Sequence, residues 1–187
     1  MIKQINCTNV KRKITLIVLI CGLPGVGKTS ISKELSKLTS WVVLSTDKIR
    51  KELVQNPTYS KEEKRLVYDV LVLVAKYLHD SGIGCILDAT FSTENSRREI
   101  KDKLNLTSSQ IRIVECKCPE DIVISRLTNR KSDYSDADIF IYRAMKSTYQ
   151  TIEEEHIVVD TSKNSPSINA AKIVDEISRS MKIDYKN

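Results

Sequence analysis

The sequence contains few aromatic residues, no long apolar run and no regular pattern of cysteines. Aromatic residues make up 5% of the chain, so a single-stranded nucleic-acid surface built from exposed aromatic rings is disfavoured. No apolar stretch approaches the ~20 residues that a membrane-spanning helix needs. The five cysteines are odd in number and irregularly spaced, which does not indicate a disulfide framework.

The positions of the cysteines favour a buried, reduced state. Cys21, Cys85 and Cys116 lie in or beside apolar runs, where a small buried side chain in a reducing compartment is the ordinary expectation. Cys116 and Cys118 lack a second pair of ligands at the spacing of a zinc site. Three basic residues at 11–13 precede an apolar run, but no cleavage pattern of a signal peptide follows. We therefore expect a cytoplasmic protein without a membrane segment.

The length and the charge fit one domain that binds an anion. The 187 residues suit a single globular domain with a full core, and we predict one domain over residues 1–187. The apolar fraction of 41% and the charged fraction of 29% exclude collagen, coiled coils and disordered chains. The net charge of +6 indicates an anionic partner, which could be a nucleotide, a nucleic acid or an acidic metabolite.

Short apolar runs alternate with stretches of helical periodicity along the chain. Most of the runs are apolar throughout, as strands covered on both faces should be. They cover residues 14–21, 41–44, 83–87, 111–116 and 157–159. The last two helical patterns are carried by Ile141, Met145, Thr148 and Ile152 and by Val174, Ile177 and Met181. This order predicts an α/β fold in which a parallel sheet lies between layers of helices.

A phosphate-binding motif follows the first apolar run. Residues 22–29 read GLPGVGKT, which fits G-x-x-x-x-G-K-[ST] between a predicted strand and a predicted helix. Glycines let the backbone turn tightly and direct N–H groups at phosphate oxygens, and the helix adds its positive end. We expect Lys28 to reach the β- and γ-phosphates and the Thr29 hydroxyl to ligate Mg²⁺. The predicted nucleotide-binding residues are Gly22, Leu23, Pro24, Gly25, Val26, Gly27, Lys28, Thr29 and Ser30.

Other classes of nucleotide-binding protein have motifs that this chain lacks. A regulatory GTPase would carry N-K-x-D and D-x-x-G, and neither occurs. A mechanical ATPase usually ends its third strand with Asp-Glu, whereas Asp88 is followed by Ala89. The loop also lacks the G-x-G-x-x-G spacing of dinucleotide folds. A small kinase, which mainly positions phosphates and an acceptor hydroxyl, is what remains.

Asp47 is the candidate catalytic base. It follows the second apolar run, and the carboxyl ends of parallel strands line one crevice, so it should lie across from the phosphate loop. A carboxylate there can accept the proton of an acceptor hydroxyl. Arg50, one turn later, could hold an anionic acceptor. The alternative is that Thr46 or Asp47 only caps a helix.

Asp88 ends the third run and should face the same crevice. It could hold Mg²⁺ through water or bond to Thr29, or it could simply cap the helix that begins near Ser92. Arg97 and Arg98 lie on that helix. We name Arg97 as a candidate for acceptor binding, although arginines on helices are usually solvated.

A basic pair and a polar stretch predict a lid over about residues 126–140. Arg126 and Arg130 are four residues apart, share a helix face and could neutralise charge on the transferring phosphoryl group. The alternative is a basic helix end that complements its own dipole. After the last run, residues 160–162 read Asp-Thr-Ser. Either an adenine ring rests on that loop or the loop is an ordinary helix cap.

Together these residues resemble the small P-loop kinases of the predicted ATP-binding kinase type, related to bacterial polynucleotide kinase, seryl-tRNA kinase and zeta-toxin-like enzymes. The matching segments are 22–29, 45–47 with Arg50, 87–90, 126–127 with Arg130, 135–137 and 159–162. The resemblance implies a five-stranded parallel core, ATP with Mg²⁺, and transfer of the γ-phosphate to a hydroxyl. It implies that Asp47 is the base and that Arg126 or Arg130 belongs to the lid. In polynucleotide kinases, an arginine one turn after the catalytic aspartate contacts the phosphate of the acceptor, and Arg50 matches that position.

Three hypotheses on function follow, and the oligomeric state is left open. The leading hypothesis is an ATP-dependent kinase that phosphorylates a hydroxyl of a small molecule or a nucleotide. The second makes the acceptor the 5′-hydroxyl of RNA or DNA, supported by the net charge of +6 and by Arg50. The third is a regulatory module that binds ATP without phosphotransfer.

Overall fold

Strands and helices alternate along the chain as predicted. The computed structural model describes residues 15–129 and 137–184. The strands are β1 (Ile17–Cys21), β2 (Val42–Ser45), β3 (Cys85–Asp88), β4 (Ile111–Lys117) and β5 (Ile157–Asp160). The helices are α1 (Lys28–Thr39), α2 (Thr46–Leu53), α3 (Lys61–Asp80), α4 (Glu94–Lys103), α5 (Glu120–Thr128), α6 (Ile139–Lys146) and α7 (Pro166–Asp184).

The five strands form one parallel sheet in the order β2-β3-β1-β4-β5. This confirms the predicted three-layer α/β/α class and the five-stranded parallel core. At the carboxyl edge of the sheet, Asp88 of β3 pairs with Ile20 of β1 on one side and with Ser45 of β2 on the other. The register therefore brings the ends of β1, β2 and β3 together, and the segments that follow these strands meet there.

Both faces of the sheet are covered, and β1 is buried along its whole length. One core contains Val18 and Ile20 of the central strand and packs against α1 and α7. The other contains Ile17 and Leu19 and packs against α3 and α4. Side chains of a strand alternate between its two faces, so a strand covered on both faces is apolar at every position, as this run is.

Several helices begin at residues that satisfy their free backbone N–H groups. The Ser60 side chain accepts a hydrogen bond from the Glu63 amide at the start of α3, and Thr93 with Ser96 forms a capping box at the start of α4. α5 begins after Pro119, with Glu120 in its first turn. An acidic side chain there faces the positive end of the helix.

The predicted helical pattern through Thr148 and Ile152 is wrong beyond Lys146, where α6 ends. Tyr142 of α6 packs in the core on the α1 side of the sheet, whereas Ile152 packs in the core on the α3 side. The segment after α6 thus crosses between the two faces, and the Gln150 amide donates to the Ser92 carbonyl on the way. Ile152 is apolar because it fills this second core, and its helical spacing from Ile141 and Met145 does not reflect a helix.

None of the described helices has a stretch long and apolar enough to cross a bilayer. Cys21, Cys85, Cys116 and Cys118 are free thiols. Burial raises the pKa of Cys85 and that of Cys116 to about 12. These two thiols therefore stay protonated at neutral pH, and the described residues contain no group of three or more His, Cys, Asp or Glu side chains that could hold a metal ion.

Candidate active site

The phosphate loop connects β1 to α1 and has the backbone that its glycines permit. Gly22, Gly25 and Gly27 all have positive φ, of 136°, 78° and 97°. At Gly22 a Cβ atom would lie 2.6 Å from the carbonyl oxygen of Cys116 on the neighbouring strand. Glycine is therefore required there both by conformation and by space. α1 begins at Lys28, so its positive end faces the loop.

Lys28, Thr29 and Asp88 meet at the carboxyl edge of the sheet. The Lys28 Nζ donates to the Leu23 carbonyl at 3.0 Å, which folds the side chain back over the loop. The Thr29 hydroxyl donates to Asp88 Oδ2 at 2.8 Å, and Asp88 is 3% exposed. A hydroxyl beside a carboxylate is the all-oxygen donor set that Mg²⁺ prefers, so these two residues fit the predicted metal site.

Asp47 lies in the first turn of α2, two residues after the end of β2. The Cα partner of Ser45 is Asp88, so the start of α2 is next to Asp88, one of the two predicted metal ligands. The Asp47 side chain is partly exposed and lines the same cleft as Lys28. It makes no hydrogen bond or ion pair with any of the described residues, and the alternative role as a helix cap is not observed because no side chain caps α2.

Arg50 lines the cleft as predicted, but its charge is already matched. It is 6% exposed, and its Nη1 lies 2.6 Å from Glu63 Oε1. The guanidinium also lies 4.6 Å from the centre of the Tyr59 ring, within the range of a cation–π contact. An anionic acceptor would have to compete with Glu63 for this arginine.

Glu63 is a site residue that the sequence reasoning missed. Its Oε2 accepts from the Thr58 amide at 2.6 Å, the Thr58 hydroxyl at 2.8 Å and the Tyr59 amide at 3.1 Å. Burial alone would raise the pKa of Glu63, but the hydrogen bonds from Arg50, Thr58 and Tyr59 outweigh it and lower the pKa to about 2. The S-x-x-E spacing of Ser60 and Glu63 is the sequence signal that could have drawn attention to it.

Arg126 ties the phosphate loop to the loop after β5. It donates to the carbonyl of Val26 at 3.4 Å and to the hydroxyl and carbonyl of Thr161 at 2.9 and 2.8 Å. The Thr161 hydroxyl in turn donates to the Val26 carbonyl at 2.6 Å. Arg126 lines the cleft, whereas Arg130 and residues 135–136 lie outside the described residues.

The loop after β5 is closed by its own side chains. Asp160 Oδ1 accepts from the amide and the hydroxyl of Ser162, at 2.9 and 2.5 Å. These hydrogen bonds lower the pKa of Asp160. This turn sets Thr161 against Val26, so the loop after β5 contacts the phosphate loop directly.

Arg97 does not have the predicted position. It is 2% exposed, and its guanidinium donates to the carbonyls of Phe91 and Thr151 at 2.9 and 3.3 Å. Its Nε lies 3.6 Å from Glu154. This placement does not fit acceptor binding, so we reassign Arg97 to a structural role. It supports Phe91, a residue with a positive φ of 44° in the loop after Asp88.

One cleft of about 1130 Å³ joins the phosphate loop, Asp47, Asp88 and Arg126. Its floor is the phosphate loop with Asp88, and part of its rim is the α6 side, where Phe140 and Ile141 face it. The opposite wall is built from α2, α3 and α4 and includes Tyr68, Asp69, Glu99 and Lys103, which sequence reasoning did not single out. These four residues carry no motif, and the ion pair between Lys103 of α4 and Asp69 of α3 joins the two helices there.

Comparison with known proteins identifies the family. Residues 17–152 match the family model AAA_33, described as an AAA domain. A probable adenylyl-sulfate kinase of Archaeoglobus fulgidus is 27% identical over 81% of this chain and 99% of its own length. An adenylate kinase of Prochlorococcus marinus is 33% identical over 62% of this chain and 70% of its own length.

A third relative is much longer than this chain. An uncharacterized protein of Mycobacterium tuberculosis is 25% identical over 83% of this chain, and the chain spans 34%, about a third, of that protein's length.

Solved structures show the same fold. A sugar kinase from Janibacter superposes with a TM-score of 0.68 at 15% identity, over 86% of this chain and 93% of that one. The APS kinase of Mycobacterium tuberculosis superposes with a TM-score of 0.66 at 21% identity, over 86% and 96%. The chain therefore belongs to the AAA domain family, within the group of small P-loop kinases.

Proposed function

We propose that the protein is an ATP-dependent kinase that transfers the γ-phosphate to a hydroxyl of a small molecule, with Asp47 as the general base. The observation that carries the proposal is the Asp47 carboxylate, which lines the cleft beside the Thr29–Asp88 pair and has no partner among the described residues. A cytoplasmic location, which the free and buried thiols favour, belongs to the same proposal.

The nucleotide end of the cleft has the groups that phosphates need. Backbone N–H groups of residues 22–29 and the start of α1 would bind the β- and γ-phosphates. Lys28 would exchange its contact with the Leu23 carbonyl for phosphate oxygens. Thr29 and Asp88 would hold Mg²⁺, which when bound neutralises charge on the phosphates. Arg126 and Thr161 would form the wall beside the adenine ring of the nucleotide.

The transfer step needs one proton acceptor on the acceptor side. The acceptor oxygen forms a bond to the γ-phosphorus, the bond from that phosphorus to the β–γ bridging oxygen breaks, and ADP leaves with the electron pair. The hydroxyl proton passes to the Asp47 carboxylate. Positioning and charge stabilisation supply the rest of the rate enhancement.

Asp47 favours a hydroxyl over a phosphate as the acceptor. A phosphate oxygen, the acceptor implied by the name of the adenylate kinase relative, is already anionic at neutral pH and needs no base. An unmatched carboxylate beside it would repel it, because like charges placed together cost several kcal/mol. A neutral hydroxyl needs the base and meets no such repulsion.

The two other hypotheses lose their specific support. The polynucleotide hypothesis rested partly on Arg50, and Arg50 is paired with Glu63 in the cleft. A regulatory module without phosphotransfer has no use for a carboxylate that faces the cleft beside the metal-site residues.

The test is to incubate the protein with ATP, Mg²⁺ and a panel of alcohols, and to follow ADP together with the ³¹P spectrum of the product. The proposal expects acceptor-dependent ADP and a phosphate monoester signal. A new phosphoanhydride signal, distinct from those of ATP and ADP, would mean a phosphate acceptor, and tight ATP binding with no ADP for any acceptor would favour a regulatory module. Oligonucleotides join the panel at two salt concentrations, since a steep salt dependence of binding would revive the polynucleotide hypothesis.

A further inference from the structure

The acceptor side of the cleft contains charged residues of both signs. We define the acceptor wall as the cleft residues contributed by α2, α3, α4 and Tyr59. Its charged members are Asp47, Arg50, Lys64, Arg65, Asp69, Glu99 and Lys103, and its aromatic members are Tyr59 and Tyr68. With Glu63, the partner of Arg50, the described residues of the wall have four cations and four carboxylates.

The most deeply buried charge in the wall is neutralised within the protein. Arg50 and Glu63 are both less than 10% exposed, and the distance between them is 2.6 Å. The second oxygen of Glu63 is held by two amides and a hydroxyl of Thr58 and Tyr59, so this carboxylate cannot easily turn away. Arg50 Nε is buried without a hydrogen-bond partner, and the Arg50–Glu63 pair as a whole brings no net charge to the cleft.

The outer cations of the wall are also paired, except for the exposed Lys64, which has no ion pair with any of the described residues. Lys103 Nζ lies 2.9 Å from Asp69 and 2.8 Å from Glu99, and Arg65 Nε lies 3.8 Å from Asp69. One lysine thus shares its charge between two carboxylates. An anionic group on an acceptor would meet Asp47, Asp69 and Glu99, and Lys64 is the one cation among the described wall residues that is not already paired with a carboxylate.

We infer that the acceptor is an uncharged molecule rich in hydroxyls, with a ring that contacts Tyr59 or Tyr68. Hydroxyls both donate and accept hydrogen bonds, so they match a wall in which ammonium, guanidinium and carboxylate groups alternate. The two tyrosine rings supply the apolar surface that such sites combine with a few polar groups. The inference rests on the proposed function and names its substrate class.

The test measures how charge affects binding, independently of phosphotransfer. Two matched pairs of probes, glucose with glucuronate and thymidine with thymidine 5′-monophosphate, are titrated into the full chain saturated with Mg-ADP and followed by saturation-transfer NMR. We expect the neutral member of each pair to bind more tightly by about tenfold or more, since like-charge contacts cost several kcal/mol. Tighter binding of the anionic members, or no binding of the neutral ones, overturns the inference.

Variants of the Arg50–Glu63 pair show which charge sets the preference for neutral over anionic probes. Glu63→Gln leaves the Arg50 cation unmatched, so the preference should shift toward the anionic probes by about tenfold. Glu62→Gln changes the net charge equally on an exposed neighbour that does not line the cleft, and it should leave the preference unchanged. The double variant Arg50→Gln with Glu63→Gln should restore the preference for neutral probes. Equal behaviour of the two single variants overturns the assignment.

The two proposals fail in different ways. Neutral probes that bind but yield no ADP, when ATP replaces ADP, would count against the kinase activity and leave the charge preference standing. ADP formed only with anionic acceptors would support the kinase activity and overturn the inference. If Glu63→Gln does not fold, the comparison of probes on the unmodified chain still decides.

Discussion

Replacing Arg97 by methionine should destabilise the fold without a direct effect on acceptor affinity. Arg97 is 2% exposed, and it joins α4 to two loops through the carbonyls of Phe91 and Thr151. Phe91 has a left-handed backbone, with a φ of 44°, which an L-residue adopts only at a cost. Methionine keeps the length of the apolar stem but removes both donors.

The expected loss of stability in Arg97→Met follows from the two hydrogen bonds that Arg97 donates to the carbonyls of Phe91 and Thr151. A hydrogen bond that involves a charged group contributes about 1.5–3 kcal/mol, and part of the loss of two such bonds is offset because a buried cation no longer has to be desolvated. We therefore expect the free energy of unfolding to fall by about 2–4 kcal/mol. For a domain of this size, the Tm should fall by about 4–16 °C.

The neighbouring arginine provides the matched control. Arg98 is exposed, and among the described residues its side chain donates only to Asn95 Oδ1, at 3.1 Å, so Arg98→Met should change the stability by less than about 0.5 kcal/mol. Urea denaturation of both variants measures the difference, and acceptor titration with the folded fraction measures KM. If Arg97→Met were as stable as Arg98→Met and raised KM instead, the structural role would be refuted and the acceptor role restored.

Two further predictions concern the phosphate loop and the buried carboxylate. Gly82, which lies outside the phosphate loop, provides the control. Gly82→Ala should lower the free energy of unfolding by about 1–2 kcal/mol, because the φ of 75° is left-handed but a Cβ atom has space there. Gly22→Ala should lower the free energy of unfolding by about 1–3 kcal/mol more than Gly82→Ala, because a Cβ would lie 2.6 Å from the Cys116 carbonyl oxygen. It should also abolish ATP binding. Equal Tm values for the two variants would contradict this prediction. The pKa of Glu63 is lowered to about 2 in the folded protein, below its unfolded value of about 4.3. Its contribution to stability is therefore present above about pH 4.3 and is lost as the pH falls toward 2. Urea unfolding across that range should show a shallower loss of stability for Glu63→Gln than for the unmodified chain, and identical slopes would exclude Glu63 as a source of the acid sensitivity.

The fold could be predicted from sequence because the physics that fixes it is local. A strand covered on both faces is apolar along nearly all of its length, and β1 is apolar throughout. The alternation of such runs with helical patterns predicts a parallel sheet between two layers of helices. The one clear error, the helix drawn through Ile152, arose because spacing along the chain does not reveal which core a residue fills.

The site could be predicted only where one short motif carries the chemistry. The phosphate loop contains its own glycines, lysine and threonine, and Asp88 and Asp47 follow from the ends of strands. The partners of charged side chains could not be predicted, because they lie on other elements. Arg50 is paired with Glu63, 13 residues away, and Arg97 with the Thr151 carbonyl, 54 residues away. A sequence pattern gives the charge of an arginine, but only packing decides whether a ligand can use that charge.

The most direct test of Asp47 as the general base is a single-turnover measurement on Asp47→Asn, with an acceptor identified among the alcohols tested with ATP and Mg²⁺. We expect phosphoryl transfer to slow by about 10²–10⁴-fold, the usual contribution of a general base, while the Kd for ATP stays the same. Asp102→Asn, an equal change on the exposed surface of α4 outside the cleft, should match the unmodified chain. Transfer by Asp47→Asn at the unmodified rate would contradict the assignment of Asp47 as the base.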